Sequence, residues 1–312
     1  MANVTAATEA GPTPALRRRP GPGREAIYAY LTLLPVLLVV AAFSLYPILY
    51  AAYLSLHKEL LTDPGDHHFV GFGNYADVFH SFYLVDSVTS TLVFVLMSVP
   101  AVMVFGLLVA LLLNQAFAGA GILRVAVLLP WALPPVVSGI IWRWILNDDY
   151  GVLNSILRQL SIVHYAIPWL SNPQLARVAL VFAQVWHEGP LAAIFLLAGL
   201  RAIPAETYGA ARVDGAGWWA IFRHITLPLL RAPLLLVLIY ETIVAAVTFD
   251  LVYIMTGGGP ANATALVSWF AYTEVFKFVN LGNGSALAFL IAAALLVIIL
   301  GYLRALRVES NR

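Results

Sequence analysis

The chain has 312 residues, of which 61% are hydrophobic and 11% charged, against about 25% charged in soluble domains, and this excludes a soluble globular protein. With a net charge of +1 and no cysteine, it has no basic field for a nucleic-acid partner, no disulfide framework, no thiolate nucleophile and no Cys-based metal site. A mean hydropathy of +0.86 places it in a lipid bilayer.

Residues 1–25 are rich in Ala, Pro, Gly and Thr and carry Arg17, Arg18, Arg19 and Arg24, a composition that cannot bury a core and predicts a disordered cytoplasmic tail. The apolar run 27–56 is long enough to span and lacks a small-residue cleavage site, so it is read as a first span and not as a cleaved signal. Pro35 and Pro47 predict kinks in it. A polar excursion at 57–82 follows, in which His67 and His68 are read as solvated and not metal-binding. The second span, 85–113, is interrupted by Pro100, and 114–121 is a short turn. The third, 122–146, holds Pro130, Pro134 and Pro135. Membranes tolerate such density only where neighbouring helices or water satisfy the freed carbonyls, which predicts a helix packed inside a bundle. Trp142, Arg143 and Trp144 mark an interface. Residues 150–172 are predicted to lie against the outer membrane face.

A fourth span covers 176–200 and a fifth 229–255. Thr256 to Pro260 reads TGGGP, a turn-forming cluster. Residues 261–283 are amphipathic and predicted to re-enter the bilayer in part. The sixth span, 285–303, is closed by Arg304 and Arg307. The expected fold is therefore all-α, with six transmembrane helices over 26–308 and a short cytoplasmic C-terminus at 309–312. The basic residues sort unevenly if the N-terminus is inside. Arg124, Arg201, Arg212, Arg223, Arg231, Arg304, Arg307, Arg312 and the four tail arginines fall on one side; Lys58, Arg143, Arg158, Arg177 and Lys277 fall on the other. That asymmetry predicts cytoplasmic termini.

The polar stretch 201–228 between the fourth and fifth spans is too long for a simple turn. Pro204 suits a first helical turn, Glu206 complements the positive helix end, and Gly215 after Asp214 supplies a left-handed stop, so a short helix is predicted there. Gly209, Ala210 and Ala211 give it a small-residue surface fit for close approach by a partner. After it, Trp218, Ile221, Phe222 and Ile225 recur at helical spacing with Arg223 and His224 between them, as in an interfacial helix, and Pro228 is expected to open the fifth span.

This run resembles the cytoplasmic coupling loop of permease subunits of binding-protein-dependent ABC importers, through Ile203, Pro204, Glu206, Tyr208, Ala210, Ala211, Asp214, Gly215, Ala216, Ile225, Leu227 and Pro228. FVGFGNYADVF, LLPWALPP, Gly151 with Asn154, and TGGGP resemble other parts of the same family, most closely its maltose and trehalose type. One position departs: Gly209 stands where the pattern has glutamate, the acid that the family is expected to set against a basic group on the ATPase subunit. Glu206 lies one turn earlier. The resemblance implies coupling contacts at Glu206, Tyr208, Gly209, Ala210, Ala211, Asp214 and Gly215. It also implies a bacterial inner-membrane location, a second permease subunit, two ATPase subunits and an external solute-binding protein as partners. No cofactor is expected on this chain, with ATP and Mg held by the ATPase, and the implied cargo is a sugar such as trehalose or maltose.

The chain has no Walker A sequence, since neither Lys58 nor Lys277 follows a glycine. HExxH and GxSxG are also lacking, so no catalytic residues are assigned. Ionisable groups within spans cost about 2.5–3.5 kcal/mol on insertion scales and so mark sites. His187 and Glu188 lie mid-way along the fourth span beside Gly189-Pro190, where a loosening of the helix is expected. Glu241 and Asp250 lie in the fifth. His187, Glu188 and Asp250 accompany Gln184, Trp186, Phe249 and Tyr253, the mixture of polar and aromatic groups that a sugar requires. Trp186 is read as packing support, and Glu241 fits a structural pairing as well as a functional one. The resemblance places substrate contacts at Gln184, His187, Glu188 and Leu191 and at Ala246, Phe249, Asp250 and Tyr253, each set expected on one helical face. Competing readings are a glycerol-phosphate-type permease, an ion-coupled transporter using Glu188, Glu241 and Asp250 as a relay, and a membrane scaffold.

Overall fold

The computed structural model describes residues 22–63, 65–115 and 118–307; most of the expected N-terminal tail and the expected C-terminus at 309–312 lie outside the described residues. The chain divides into two units, one ending at Ala51 and the other beginning at Ala52. The first carries α1 (Pro22–Val40), a π-helical turn (Ala41–Leu45) and most of α2 (Tyr46–Ser55). Helix runs on through Pro35 and Pro47. Pro47 has no N–H to donate back into the preceding turn, and the wider π-helical turn sits immediately before it.

In the second unit the end of α2 is held by Asn74, whose buried amide donates to the carbonyls of Ser55 (2.9 Å) and His57 (2.8 Å). A two-stranded antiparallel ribbon, β1 (His57–Lys58) and β2 (His68–Phe69), follows. His67 meets Glu59 and His68 meets Asp66 there, and no cluster of three or more metal-ligating side chains occurs among the described residues. Then come α3 (Gly73–His80) and α4 (Phe82–Leu113), and α4, at about 48 Å, is longer than a bilayer core is thick. Helix α4 packs most extensively against α8 (Pro173–Ala202).

Small residues permit that contact. A Cβ on Gly106 would lie 2.8 Å from Ala192 Cβ and 3.1 Å from the Ala193 backbone nitrogen, and one on Gly189 would lie 2.3 Å from the Phe105 ring. With no hydrophobic force between helices in lipid, such close backbone approach supplies the packing. Gly106→Ala is therefore expected to destabilise the protein by about 1–3 kcal/mol through overpacking. Gly301→Ala, where a Cβ meets nothing within 4 Å, should instead gain the ordinary helix preference of roughly 1 kcal/mol. Thermal unfolding of the detergent-purified protein separates the two, and equal shifts of the same sign would refute the packing account.

Several spans differ from expectation. The third is two helices, α5 (Ala120–Ala132) and α6 (Pro135–Ile145), bent by 93°. Each of Leu133 and Pro134 precedes a proline and is pushed out of the helical region, to ψ 143° and 141°. Arg124 on α5 donates to the Leu113 carbonyl at the end of α4 (3.3 Å). No break appears at Gly189-Pro190, where α8 continues; the glycine is needed for the approach of Phe105 instead. After α9 (Ala205–Val213) come α10 (Trp218–Ile221), a π-helical turn (Phe222–Thr226) and α11 (Leu227–Leu229), and Pro228 lies inside this helix. The fifth span begins after a 66° bend, at Arg231. It comprises α12 (Arg231–Val247) and, past an interruption, α13 (Asp250–Met255).

The segment after α6 folds around α7 (Val152–Gln159). The turn-rich loop after α13 has positive φ at Gly257 and Gly258 and is fastened by Arg177 Nε donating to the Ala263 carbonyl (2.9 Å) and by Thr256 to Thr264 (2.7 Å). Helix α14 (Val267–Tyr272) buries Val267 and Phe270 against α4 and α15 (Leu281–Arg307), with a π-helical turn (Thr273–Lys277) between. Among the described residues four helices are long and apolar enough to cross a membrane, and up to six spans result if each bent pair, 120–145 and 218–247, is counted as one.

Candidate functional site

Helix α8 places Gln184, His187 and Glu188 on one face at spacings of three and four, and all three are buried, at 2%, 4% and 7% exposure. His187 Nδ1 lies 3.1 Å from the Ser138 hydroxyl on α6, and its Nε2 lies 3.7 Å from Glu188 Oε1. The facing wall comes from the interruption between α12 and α13. Thr248 turns extended (ψ 122°), its hydroxyl donates to the Val244 carbonyl (2.7 Å), and Phe249 at φ −125° starts the chain in a new direction.

These elements enclose a cavity of about 210 Å³ lined by Pro135, Gln184, His187, Glu188, Phe249 and Asp250, together with Val244, Val247, Thr248 and Leu251. Gln184 Nε2 and Glu188 Oε2 are buried with no hydrogen-bond partner among the described residues. Buried polar groups are otherwise almost always paired, so two unmet groups of opposite hydrogen-bonding sense in one cavity wall suit a ligand with both donors and acceptors. Among the described residues no lysine or arginine lines the cavity.

The eight expected contact residues do not share one surface. Gln184, His187, Glu188, Phe249 and Asp250 line the cavity; Leu191 is half-buried farther along α8 and does not. Ala246 lines a different, apolar cavity of about 350 Å³ with residues of α4 and α15. Tyr253 is 45% exposed among the aromatic rings of α14. The expected single face over 246–253 fails because the helix ends between Ala246 and Phe249. Pro135, Val244, Val247, Thr248 and Leu251 also line the cavity, and Ser138 on α6 meets His187; the Pro134-Pro135 pair was the one sequence signal for the α6 side, and the residues 244–251 are brought in by the interruption. Trp186 packs edge-on against Trp142 (5.7 Å), as a supporting residue should. Glu241 is buried on α12, outside the lining, with Oε1 unpartnered.

The polar loop forms its helix as its residues dictate. Glu206 lies in the first turn of α9, and Gly215 adopts φ +80°. Gly215 N–H donates to the Arg212 carbonyl (3.1 Å) and Ala216 N–H to the Ala211 carbonyl (2.9 Å), the paired bonds of a Schellman stop. Glu206, Gly209, Ala210, Asp214 and Gly215 are exposed and Ala211 half-buried. Tyr208 turns the other way, packs against the cluster containing Leu200 and Leu230, and lies 3.4 Å from the Thr226 hydroxyl. It fixes α9 to the helices behind it. Trp218 and Trp219 are exposed and stack on Phe222.

Residues 70–308 match the family of binding-protein-dependent transport system inner membrane components. The chain belongs to this family. The permease is 39% identical to a trehalose/maltose transport system permease protein, MalF, of Thermococcus litoralis, over 90% of this chain and 94% of that one. It is 35% identical to a sulfoquinovosyl glycerol transport system permease protein of Agrobacterium fabrum (92% of each). It is 33% identical to a trehalose transport system permease protein, SugA, of Mycobacterium tuberculosis (86% and 85%). Its fold resembles a chain of a bacterial ABC transporter involved in importing the acidic polysaccharide alginate, with a TM-score of 0.79 at 21% identity over 92% and 97% of the two chains. The permease is thus a mostly helical, multi-pass membrane protein of this importer class.

Proposed function

We propose that this permease lines the translocation path of an ATP-driven importer for a neutral sugar of the trehalose and maltose class. The observation that carries the reading is the cavity at the α12–α13 interruption, where Gln184 and Glu188 present unmet hydrogen-bonding groups beside Asp250 and the Phe249 ring. A sugar has hydroxyls for the former and a weakly apolar ring face for the latter. Relatives named for trehalose and maltose support that cargo. The want of a lysine or arginine in the lining speaks against the glycerol phosphate alternative. Partners in this reading are a second permease subunit, an external binding protein and two ATPase subunits that hold ATP and Mg and dock on the exposed face of α9. Both termini lie in the cytoplasm in the orientation that the basic residues favour.

Direct binding of labelled trehalose and maltose to the assembled transporter, with uptake measured in parallel, tests the site. Losing a hydrogen bond to a charged acceptor costs on the order of 1.5–3 kcal/mol. Glu188→Ala and Asp250→Ala are therefore each expected to weaken sugar binding about 10- to 150-fold in complexes that still assemble. Wild-type binding and uptake in both variants would eliminate this site.

A further inference from the structure

The cavity is smaller than its expected cargo. At about 210 Å³ and open on one side, it falls below the roughly 300 Å³ at which drug-sized ligand pockets begin, so a cargo of two or more rings seated there would extend beyond its mouth. Aromatic rings continue from its wall. Phe249, which lines the cavity, lies 4.9 Å from Tyr272 between ring centroids, and Tyr272 lies 5.7 Å from Trp269 and 5.0 Å from Phe276. Tyr253 joins at 5.5 Å from Tyr272, and Lys277 Nζ sits 4.5 Å over the Trp269 ring.

This group is not a core. Phe276 is 68% and Tyr253 45% exposed, with Trp269 and Tyr272 half-buried. It is nevertheless fixed in place relative to the cavity. The Ser268 hydroxyl donates to the Thr248 carbonyl at 2.6 Å, fastening α14 to the interruption that shapes the cavity. Behind Trp269, a Cβ on Gly258 would lie 2.5 Å from the indole nitrogen, so glycine there lets the ring seat against the loop. These rings are tilted against one another by 30–40°, with Tyr253 edge-on to Tyr272 at 75°, so the group combines apolar ring surface with two phenols and an ammonium at its rim, which is the chemistry that recognises a pyranose. A fixed platform also avoids the ordering cost that a flexible one incurs on binding.

We propose that Trp269, Tyr272 and Phe276 extend the Phe249 wall into an outer sugar subsite, which takes the rings of a disaccharide or longer cargo that the cavity cannot hold. This rests on the sugar reading above, and the test separates the two. Binding of labelled trehalose, maltose and maltotriose is measured on the assembled transporter in nanodiscs without its binding protein. Tyr272→Ala and Phe276→Ala are expected to weaken binding about three- to ten-fold each, the range of one aromatic contact, with the larger loss for maltotriose. Phe276→Trp should restore wild-type affinity, which a merely structural ring contact would not require. Because Phe276 is largely exposed, its truncation leaves no core cavity. Unchanged affinity in both alanine variants, with Glu188→Ala and Asp250→Ala impaired, overturns the outer subsite and leaves the cavity standing. A loss of assembled complex at unchanged affinity also overturns it, and assigns these rings to a protein or lipid contact.

Discussion

Ala210→Trp is expected to abolish ATP-driven uptake while the permease still inserts and folds, and Gly209→Glu to leave uptake at the wild-type level or above. The difference follows from which face of α9 each residue occupies. Ala210 is exposed, whereas Ala211 is half-buried, so a large side chain at 211 would disturb the permease itself and confuse the result. An indole at 210 fills only the open space in front of α9, which in the proposed assembly an ATPase subunit occupies. At Gly209 a Cβ meets nothing within 4 Å, so glutamate enters without strain and removes the roughly 1 kcal/mol that glycine costs inside a helix. The new acid would stand three residues before Arg212, a favourable helical pair, and three after Glu206, an unfavourable one, each worth only about 0.2–0.5 kcal/mol. Gly215→Val tests the other end of α9: a β-branched residue at φ +80° opposes the left-handed stop, and uptake should fall with it. Co-purification of the ATPase and uptake in proteoliposomes are the measurements. Normal ATPase retention and uptake in Ala210→Trp would mean that this face is not the docking surface.

That loop was legible because its signals are local. Glu206 and Gly215 act within one or two turns of chain, and each does in the structure what its chemistry requires, while Pro204, expected in the first turn, stands one residue before it as the N-cap with ψ 134°. The long apolar runs were legible for a similar reason, since hydropathy alone identifies a span. The bend at Leu133-Pro134 was half-visible: the prolines stood in the sequence, but a kink and a 93° turn look alike until the neighbouring helices are known. The interruption at Thr248 and Phe249 left no such mark. Neither residue is a glycine or proline, and the helical period runs evenly from Ala246 to Tyr253. The Ser268 bond to the Thr248 carbonyl, from 20 residues away, supplies what the helix gives up there. Ala246 therefore faces a different cavity from Phe249 and Asp250, and nothing in the sequence marked Thr248 and Leu251 as neighbours of the latter.

Long-range bonds of that kind also predict where stability concentrates, and Asn154→Ala should be among the most destabilising single changes outside the spans. Asn154 is fully buried at the start of α7. Its amide donates to the carbonyls of Asp148 (3.1 Å) and Ile167 (2.9 Å), while its oxygen accepts from the Ile167 backbone N–H (3.1 Å) and the Trp169 indole N–H (3.1 Å). One side chain thus closes the loop on both sides of α7. Glycine at 151 belongs to the same construction, because a Cβ there would lie 2.2 Å from the Asn147 carbonyl oxygen. Alanine at 154 strands four groups, and each buried unmet group costs about 1–3 kcal/mol, less whatever water regains. A loss on the order of 4 kcal/mol is expected, most of a typical margin of folding stability. Asn154→Asp keeps the acceptor but sets a buried carboxylate oxygen against the Asp148 and Ile167 carbonyls, so it should destabilise at least as much as alanine. Hydrogen exchange across 147–170 is the measurement: protection should drop there first, with α8 and α12 retained. An Asn154→Ala protein with wild-type protection in that segment would refute this role for the side chain.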